Sequence, residues 1–114
     1  MDLGTYERVL DQNMTGQNYI TSGQIFSDVL TRERRGSYLG WDVQMIPHVT
    51  GEVKRKLREL AVTGGENGQP ADVVFVEVGG TAGDYENGFY IEALRELAFE
   101  EGEGSTCFVA LTYV

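Results

Sequence analysis

Residues 73–86 read Val-Val-Phe-Val-Glu-Val-Gly-Gly-Thr-Ala-Gly-Asp-Tyr-Glu, and this stretch decides the predicted fold. The apolar run at 73–76 is typical of a buried strand. Three glycines follow within five residues, and acidic side chains flank the turn. Open α/β sheets bind their ligands at the carboxyl ends of strands. The turn is therefore a candidate ligand site, although many such turns only connect a strand to a helix.

The residue types in this turn suit a phosphate or a metal-bound nucleotide. Glycine has no Cβ, so its backbone N–H can approach a phosphate or a base closely. Carboxylates bind Mg²⁺, usually together with substrate phosphates. Glu77 lies within the predicted apolar strand at 72–78, where a carboxylate is costly unless it is paired or bound to a cation. We therefore expect Glu77 to belong to a ligand site.

The rest of the sequence alternates helix and strand patterns. Thr21 and Gln24 have the spacing of a capping box, and Gly36 is suited to end the helix that follows. Another helix is expected to begin with Thr50 as its cap. The remaining predicted elements are a helix at about 88–99 and strands at 41–46, 72–78 and 107–114. This order predicts one α/β domain with a mostly parallel sheet, flanking helices and right-handed crossovers.

Composition restricts the function classes. The 114 residues are 41% hydrophobic, which allows one small domain spanning residues 1–114. The net charge of −9 argues against a nucleic-acid partner, because such binding depends on Lys and Arg neutralising phosphates. No apolar run reaches the roughly 18 residues of a membrane span, and no secretory signal is expected at the N-terminus. The single cysteine, Cys107, fits a reducing cytoplasm.

Four motifs occur in a fixed order along the chain: DLGTYER at 2–8, RERRGSYLG at 32–40, VQMIPHVT at 43–50 and EVGGTAGD at 77–84. Together they resemble the synthetase (amidoligase) domain of the CTP synthase family, over nearly the whole chain. The resemblance implies a P-loop-NTPase-like α/β fold. It also implies a reaction in which ATP phosphorylates O4 of UTP and ammonia then replaces that phosphate. A separate glutaminase domain supplies the ammonia in this family.

The resemblance also assigns roles to single residues. Asp2 and Glu77 match the carboxylates that coordinate Mg²⁺. The positions that match the family's nucleotide site are Gly79, Gly80, Asp84, Tyr85, Glu86, Gln44 and His48. Among these, the glycines match backbone contacts, and residues 84–86 match the pyrimidine site, which also takes the product CTP. The implied partner is UTP or CTP, with ATP a weaker candidate.

The sequence departs from the family pattern at several places. Tyr85 stands where an aliphatic residue is usual, and residues 87–90 replace a segment that normally contains proline. No GxxxxGK[ST] phosphate loop occurs, and the sequence ends within a predicted strand. We therefore expect a truncated synthetase domain that is inactive alone, because phosphoryl transfer depends on positioning and electrostatics.

Two alternatives remain open at this point. The chain could be a stand-alone module that binds nucleotide or oligomerises without catalysis, or a degenerate relic that binds nothing. A domain without its P-loop strand and helix would leave a sheet edge and an apolar face uncovered. The sequence thus predicts a homo-oligomer, with a dimer as the favoured form.

Overall fold

The computed structural model describes residues 2–114, and it is built from helices. The α-helices are α1 (Leu3–Leu10), α2 (Ser22–Arg34), α3 (Thr50–Thr63) and α4 (Gly88–Glu101). Short 3₁₀ turns lie at Gly16–Asn18, Glu66–Gly68 and Tyr85–Asn87, and a π-helical turn at Met45–Val49 leads into α3.

The hydrophobic core lies between α2, α3 and α4. Its buried members are Ile25, Val29, Val49, Val53, Phe89 and Ala93. Phe26 of α2 also packs against Phe89 of α4, with ring centroids 5.5 Å apart. By contrast, α1 contributes no buried residue. The three longer helices therefore hold the molecule together, and α1 is attached at its edge.

The predicted ends of α2 are confirmed. The Thr21 hydroxyl oxygen accepts the N–H of Gln24 at 3.1 Å, as an N-cap does. Only half of the capping box forms, because the Gln24 side chain donates to Asp28 instead. At the other end Gly36 has φ +78°, and its N–H donates to the carbonyl of Glu33 at 2.9 Å. The left-handed backbone there explains why glycine ends this helix.

The two later helices are also present, with one difference in capping. The structure confirms the helix predicted at about 88–99, which extends over Gly88–Glu101. Thr50 does not cap α3, because it is already helical and Val49 occupies the cap position. The Thr50 side chain is fully buried, and its hydroxyl has no hydrogen-bond partner within residues 2–114. The cap predicted at Thr50 was therefore wrong.

The predicted parallel sheet and P-loop-NTPase-like fold are wrong for this chain as described. Over residues 2–114 no strand forms at 41–46, 72–78 or 107–114. A strand is stable only when its N–H and C=O groups pair with a neighbouring strand. Segments 72–78 and 107–114 make no backbone–backbone hydrogen bond within the described part of the chain. Segment 41–46 runs into the π-helical turn instead.

The two unpaired segments leave apolar side chains in solvent. Phe75 is 85% exposed and Leu111 is 95% exposed. The accessible surface of the chain is 8805 Å², whereas a compact monomer of this mass exposes about 6,200 Å². Segments 72–78 and 107–114, which we call the extended segments, therefore each expose apolar side chains and contribute no buried residue to the core.

Ion pairs link the three core helices. Glu52 of α3 is buried, and its carboxylate lies 3.1 Å from Arg32 of α2 and 2.8 Å from Arg55. Between α3 and α4, Lys54 lies 2.6 Å from Glu100. A buried carboxylate is tolerated only with such partners. The charges therefore fix how the helices face one another.

None of the helices within residues 2–114 has the length and apolar character needed to cross a bilayer.

The buried position of Glu52 leads to a stability prediction. Glu52→Gln should lower the free energy of unfolding by about 2 kcal/mol, because it removes the charge that pairs with the basic side chains of α2 and α3. Glu59→Gln, on the same helix, is a matched control that removes only an exposed pair with Arg55. That change should cost about 0.5 kcal/mol or less. Urea unfolding followed by circular dichroism measures both, and equal unfolding midpoints would contradict the prediction.

Candidate functional site

Asp2 caps α1 and is fixed by Thr5. Its Oδ1 accepts the backbone N–H of Thr5 at 3.1 Å, and its Oδ2 accepts the Thr5 hydroxyl at 2.5 Å. These bonds, the hydroxyl first, lower the pKa of the Asp2 carboxyl. A carboxylate has about four lone-pair sites, so both oxygens can still accept further bonds. Asp2 is thus an oriented, exposed carboxylate at the helix N-terminus.

Tyr6 connects α1 to the glycine-rich turn. Its hydroxyl donates a hydrogen bond to Oε2 of Glu77, which lies 71 positions further along the chain. This bond is the largest cause of a raised Tyr6 pKa, and the negative charges of Glu77 and Asp2 also raise it. Of the two carboxylates predicted to bind Mg²⁺, Glu77 thus contacts Tyr6 directly, and Asp2 caps the helix that carries Tyr6. Two motifs that are far apart in the sequence meet at this point.

Glu77 is exposed, so burial within a strand is not the reason that it belongs to the candidate site. The sequence placed it within a buried strand, where an unpaired carboxylate is costly. In the structure it lies in an extended segment open to solvent, and Tyr6 is its hydrogen-bond partner. No hydrogen bond within residues 2–114 uses its Oε1. The second oxygen is available to a ligand.

The donor set fits Mg²⁺ bound together with phosphates. Within residues 2–114 no group of three or more His, Cys, Asp or Glu side chains could enclose a metal ion. Asp2 and Glu77 supply two hard carboxylate donors. Mg²⁺ commonly takes one or two carboxylates and completes its shell with water and substrate phosphates. A two-carboxylate site open to solvent fits that pattern.

The glycine-rich turn is closed by its own side chains. Oδ2 of Asp84 accepts the N–H of Thr81 at 2.9 Å, and the Asn87 side-chain amide donates to the carbonyl of Gly79 at 2.8 Å. Gly80 has φ +84°, and a Cβ there would lie 2.4 Å from Nδ2 of Asn87. No hydrogen bond within the described residues uses the N–H groups of Gly79 or Gly80. These two donors remain available at the turn.

Asn87 organises the site, although it is not among the residues predicted from the sequence. It lies immediately before α4, at a position where asparagine is a favoured cap. Its side chain makes no cap hydrogen bond and reaches back to the turn instead. The residue type and its position gave a signal for a cap, but only the structure shows which carbonyl it holds.

The remaining predicted nucleotide residues fall into two groups. Tyr85 is 97% exposed and Glu86 is exposed, and both lie on the short turn between the glycines and α4. Gln44 and His48 lie elsewhere: Gln44 immediately precedes the π-helical turn before α3, and His48 lies within it. The backbone N–H of Gln44 donates to Nδ1 of His48 at 2.8 Å. No hydrogen bond within residues 2–114 joins this pair to the glycine-rich turn.

His48 has a clear local role. Its ring packs against Tyr38, with ring centroids 4.6 Å apart, and its Nδ1 closes the turn. In a neutral imidazole that accepts at Nδ1, the proton lies on Nε2. The structure thus explains His48 as a turn-forming residue, and its predicted nucleotide contact stays a prediction.

Two surface clefts lie away from the predicted site. One, of about 380 Å³, is lined by residues 39–42. Another, of about 330 Å³, lies between segments 12–18 and 63–68. Neither is lined by a predicted site residue. These two clefts are therefore distinct from the candidate site, where Glu77 and Tyr85 are exposed.

Gly80 gives a test of the turn geometry. Gly80→Ala should open the turn, because the new methyl group meets Asn87 and because alanine is strained at positive φ by about 1–2 kcal/mol. Gly83→Ala is the matched control, since a Cβ there meets nothing within 4 Å. The side-chain amide signals of Asn87 in NMR spectra should shift in the first variant only. Identical Asn87 signals in both variants would show that the turn does not need glycine at position 80.

Comparison with known proteins identifies the family. The family described as CTP synthase N-terminus matches residues 1–114. The chain is 48% identical over 114 residues to the CTP synthase of Pyrococcus horikoshii, 46% to that of Thermus thermophilus and 49% to that of Methanopyrus kandleri. Each match covers 100% of this chain and 20% of the relative. The chain thus spans about a fifth of the length of these curated relatives, and it belongs to the CTP synthase N-terminal family.

Proposed function

We propose that this chain forms the Mg²⁺- and pyrimidine-nucleotide-binding part of a CTP synthase, whose reaction is the ATP-dependent amination of UTP to CTP. Family membership supports the reaction class. The observation that carries the site is the hydrogen bond from Tyr6 to Glu77. It brings the helix that carries Asp2 to the turn that carries Gly79 and Gly80.

The charges at the site support binding of a metal-bound nucleotide. The chain has a net charge of −9, and Asp2 and Glu77 add local negative charge. A free triphosphate is repelled by such a site, whereas Mg²⁺ placed between carboxylates and phosphates removes the repulsion. The free N–H groups of Gly79 and Gly80 then donate to the ligand. Binding should therefore require the metal.

The residues after the glycines suit a pyrimidine. The Tyr85 ring is almost fully exposed and offers a face on which a base can stack. A carboxylate such as Glu86 can accept a hydrogen bond from the N4 amino group of cytosine. Uracil has a carbonyl at that position, which a carboxylate repels. This contrast favours CTP over UTP at the turn, and it gives the acidic side chain a role in recognising the product.

We propose that the chain binds nucleotide but does not complete the reaction alone. When bound, Mg²⁺ offsets the charge that develops on the phosphates during transfer. Asp2 and Glu77 would hold it there. Phosphoryl transfer also needs donors that align the β- and γ-phosphates, and these 114 residues contain no lysine-bearing phosphate loop. The relatives are about five times as long, which leaves room for such donors in other segments.

We also propose that the protein acts in the cytoplasm. Its only cysteine, Cys107, is exposed and unpaired, and a reducing compartment keeps such a thiol in its free form.

Nucleotide titration tests the proposed site. CTP and UTP, each with Mg²⁺, should shift the NMR signals of Gly80 and Glu86, with CTP the tighter ligand and ATP weaker than both. The dissociation constant should be about 0.1–1 mM, equivalent to about 4–5.5 kcal/mol, because only one open turn contacts the ligand. EDTA should reverse the shifts.

Two variants show whether the Mg²⁺-dependent shifts require the Glu77 carboxylate. Glu77→Gln should abolish the Mg²⁺-dependent shifts, while Glu103→Gln, which removes another exposed carboxylate, should leave them unchanged. Shifts that persist in EDTA, or equal affinity for ATP, would contradict the proposed site. If no signal shifts at several millimolar nucleotide, the result would favour the alternative that the chain is a degenerate relic that binds nothing.

We further propose that a second copy of the chain covers the extended segments. The chain exposes about 2,600 Å² more surface than a compact monomer of its mass, and a standard stable interface buries about 1,200–2,000 Å² in total. The excess is therefore large enough for a dimer. The exposed side chains of Phe75 and Leu111 are of the apolar kind that such an interface would bury.

Sedimentation equilibrium tests the dimer. A dimer should be present at high micromolar concentration, and Leu111→Asp should shift it towards monomer because a charge would enter the interface. Phe99→Asp is a matched control at an exposed position outside the extended segments. A single monomeric species at high micromolar concentration would rule the dimer out.

A further inference from the structure

The attachment of α1 depends on one long-range side-chain hydrogen bond. No residue of α1 is buried, although Tyr6 is half-buried. Within residues 2–114, the bond from Tyr6 to Glu77 is the one side-chain hydrogen bond that joins α1 to any residue beyond position 14. The helix is thus joined by a polar contact to a residue of the proposed metal site, and it contributes no side chain to the hydrophobic core. The attachment of α1 to Glu77 therefore needs an explanation other than the stability of the fold.

The hydrogen bond from Tyr6 makes the two oxygens of the Glu77 carboxylate inequivalent. Oε2 accepts the Tyr6 hydroxyl, and Oε1 has no hydrogen-bond partner within the described residues. A carboxylate on an extended, exposed segment would otherwise rotate freely about its side-chain torsions. With one oxygen held, the carboxylate presents the other in a fixed direction. Carboxylates that bind metals are commonly held in this way by a second hydrogen-bonding group.

The same contact also places Asp2. Asp2, the N-cap of α1, precedes Tyr6 by four positions, which is about one helical turn. Its negative charge is close enough to raise the pKa of the Tyr6 hydroxyl. The helix end that carries Asp2 is therefore brought towards Glu77 by the residue that holds Glu77.

We propose that Tyr6 is the positioning residue of the metal site: its hydroxyl holds Oε2 of Glu77 so that Oε1 faces a divalent cation, and it docks α1 so that Asp2 faces the same cation. This inference rests on the proposed Mg²⁺ function of Asp2 and Glu77. Tyr6 does not contact the metal or the nucleotide. Its effect passes through Glu77 and the position of α1.

Titration with Mg²⁺ alone tests the inference. In uniformly ¹³C-labelled protein, the Cδ signal of Glu77 reports metal binding directly, and the Cζ signal of Tyr6 reports the hydrogen bond. Both should shift in the wild type with the same dependence on Mg²⁺ concentration. Tyr6→Phe should weaken Mg²⁺ binding at Glu77 about tenfold, since loss of such a supporting hydrogen bond costs 10–100-fold in metal affinity.

Tyr19→Phe is the matched control. Tyr19 is half-exposed, and its hydroxyl makes no hydrogen bond within residues 2–114. This variant should bind Mg²⁺ as the wild type does. The Cα shifts of residues 3–10 show whether α1 stays helical in Tyr6→Phe. If the helix is lost, the wild-type comparison of the two ¹³C signals remains the test.

The outcomes separate the inference from the proposed function. If Glu77→Gln abolishes Mg²⁺ binding while Tyr6→Phe binds as tightly as Tyr19→Phe, the positioning role is overturned and the metal site stands. A Tyr6 signal that stays fixed while the Glu77 signal shifts also overturns it. If the Glu77 signal of the wild type does not respond to Mg²⁺, the metal site fails and the inference fails with it.

Discussion

The packing of α2, α3 and α4 against one another is the constraint on which the rest of the structure depends. Ile25 and Ala93 are fully buried where these helices meet, and the small core around them is the main source of hydrophobic stabilisation. The helices are also oriented by charge, because Glu52 lies buried between basic side chains of α2 and α3. The predicted metal ligands and the residues of the glycine-rich turn lie on segments that contribute no residue to this core.

The sequence predicted α2, α3 and α4, but not α1, because the signals of these three helices are local. Thr21 and Gly36 end α2 through hydrogen bonds that span a few residues, so their meaning does not depend on the rest of the fold. The strands could not be predicted in the same way. The apolar run that contains Phe75 has the composition of a buried strand, but a strand also needs a partner that supplies hydrogen bonds. No such partner lies within residues 2–114, and the run stays extended and exposed.

The candidate site was predictable in its residues but not in its geometry. Motif order pointed to the family, and the family match over residues 1–114 confirms that recognition. No sequence pattern could show that Tyr6 reaches Glu77, because that contact joins positions 71 apart. Nor could a sequence pattern show that the Asn87 side chain holds the carbonyl of Gly79. Long-range polar contacts of this kind depend on how the elements pack, which local residue preferences do not encode.

The proposed site therefore combines a turn that is closed by its own hydrogen bonds with a helix that is held by one long-range side-chain hydrogen bond. Gly79 and Gly80 are held by side chains from the same loop, so their free N–H groups keep their directions without a ligand. Asp2 depends on the docking of α1, which buries no residue and is held by Tyr6. A ligand that binds only the docked state stabilises it by mass action. Mg²⁺ shared by Asp2 and Glu77 would act in this way, so that metal binding and the docking of α1 reinforce each other. The turn would then supply nucleotide contacts that are already in place, and the metal would order the remainder of the site.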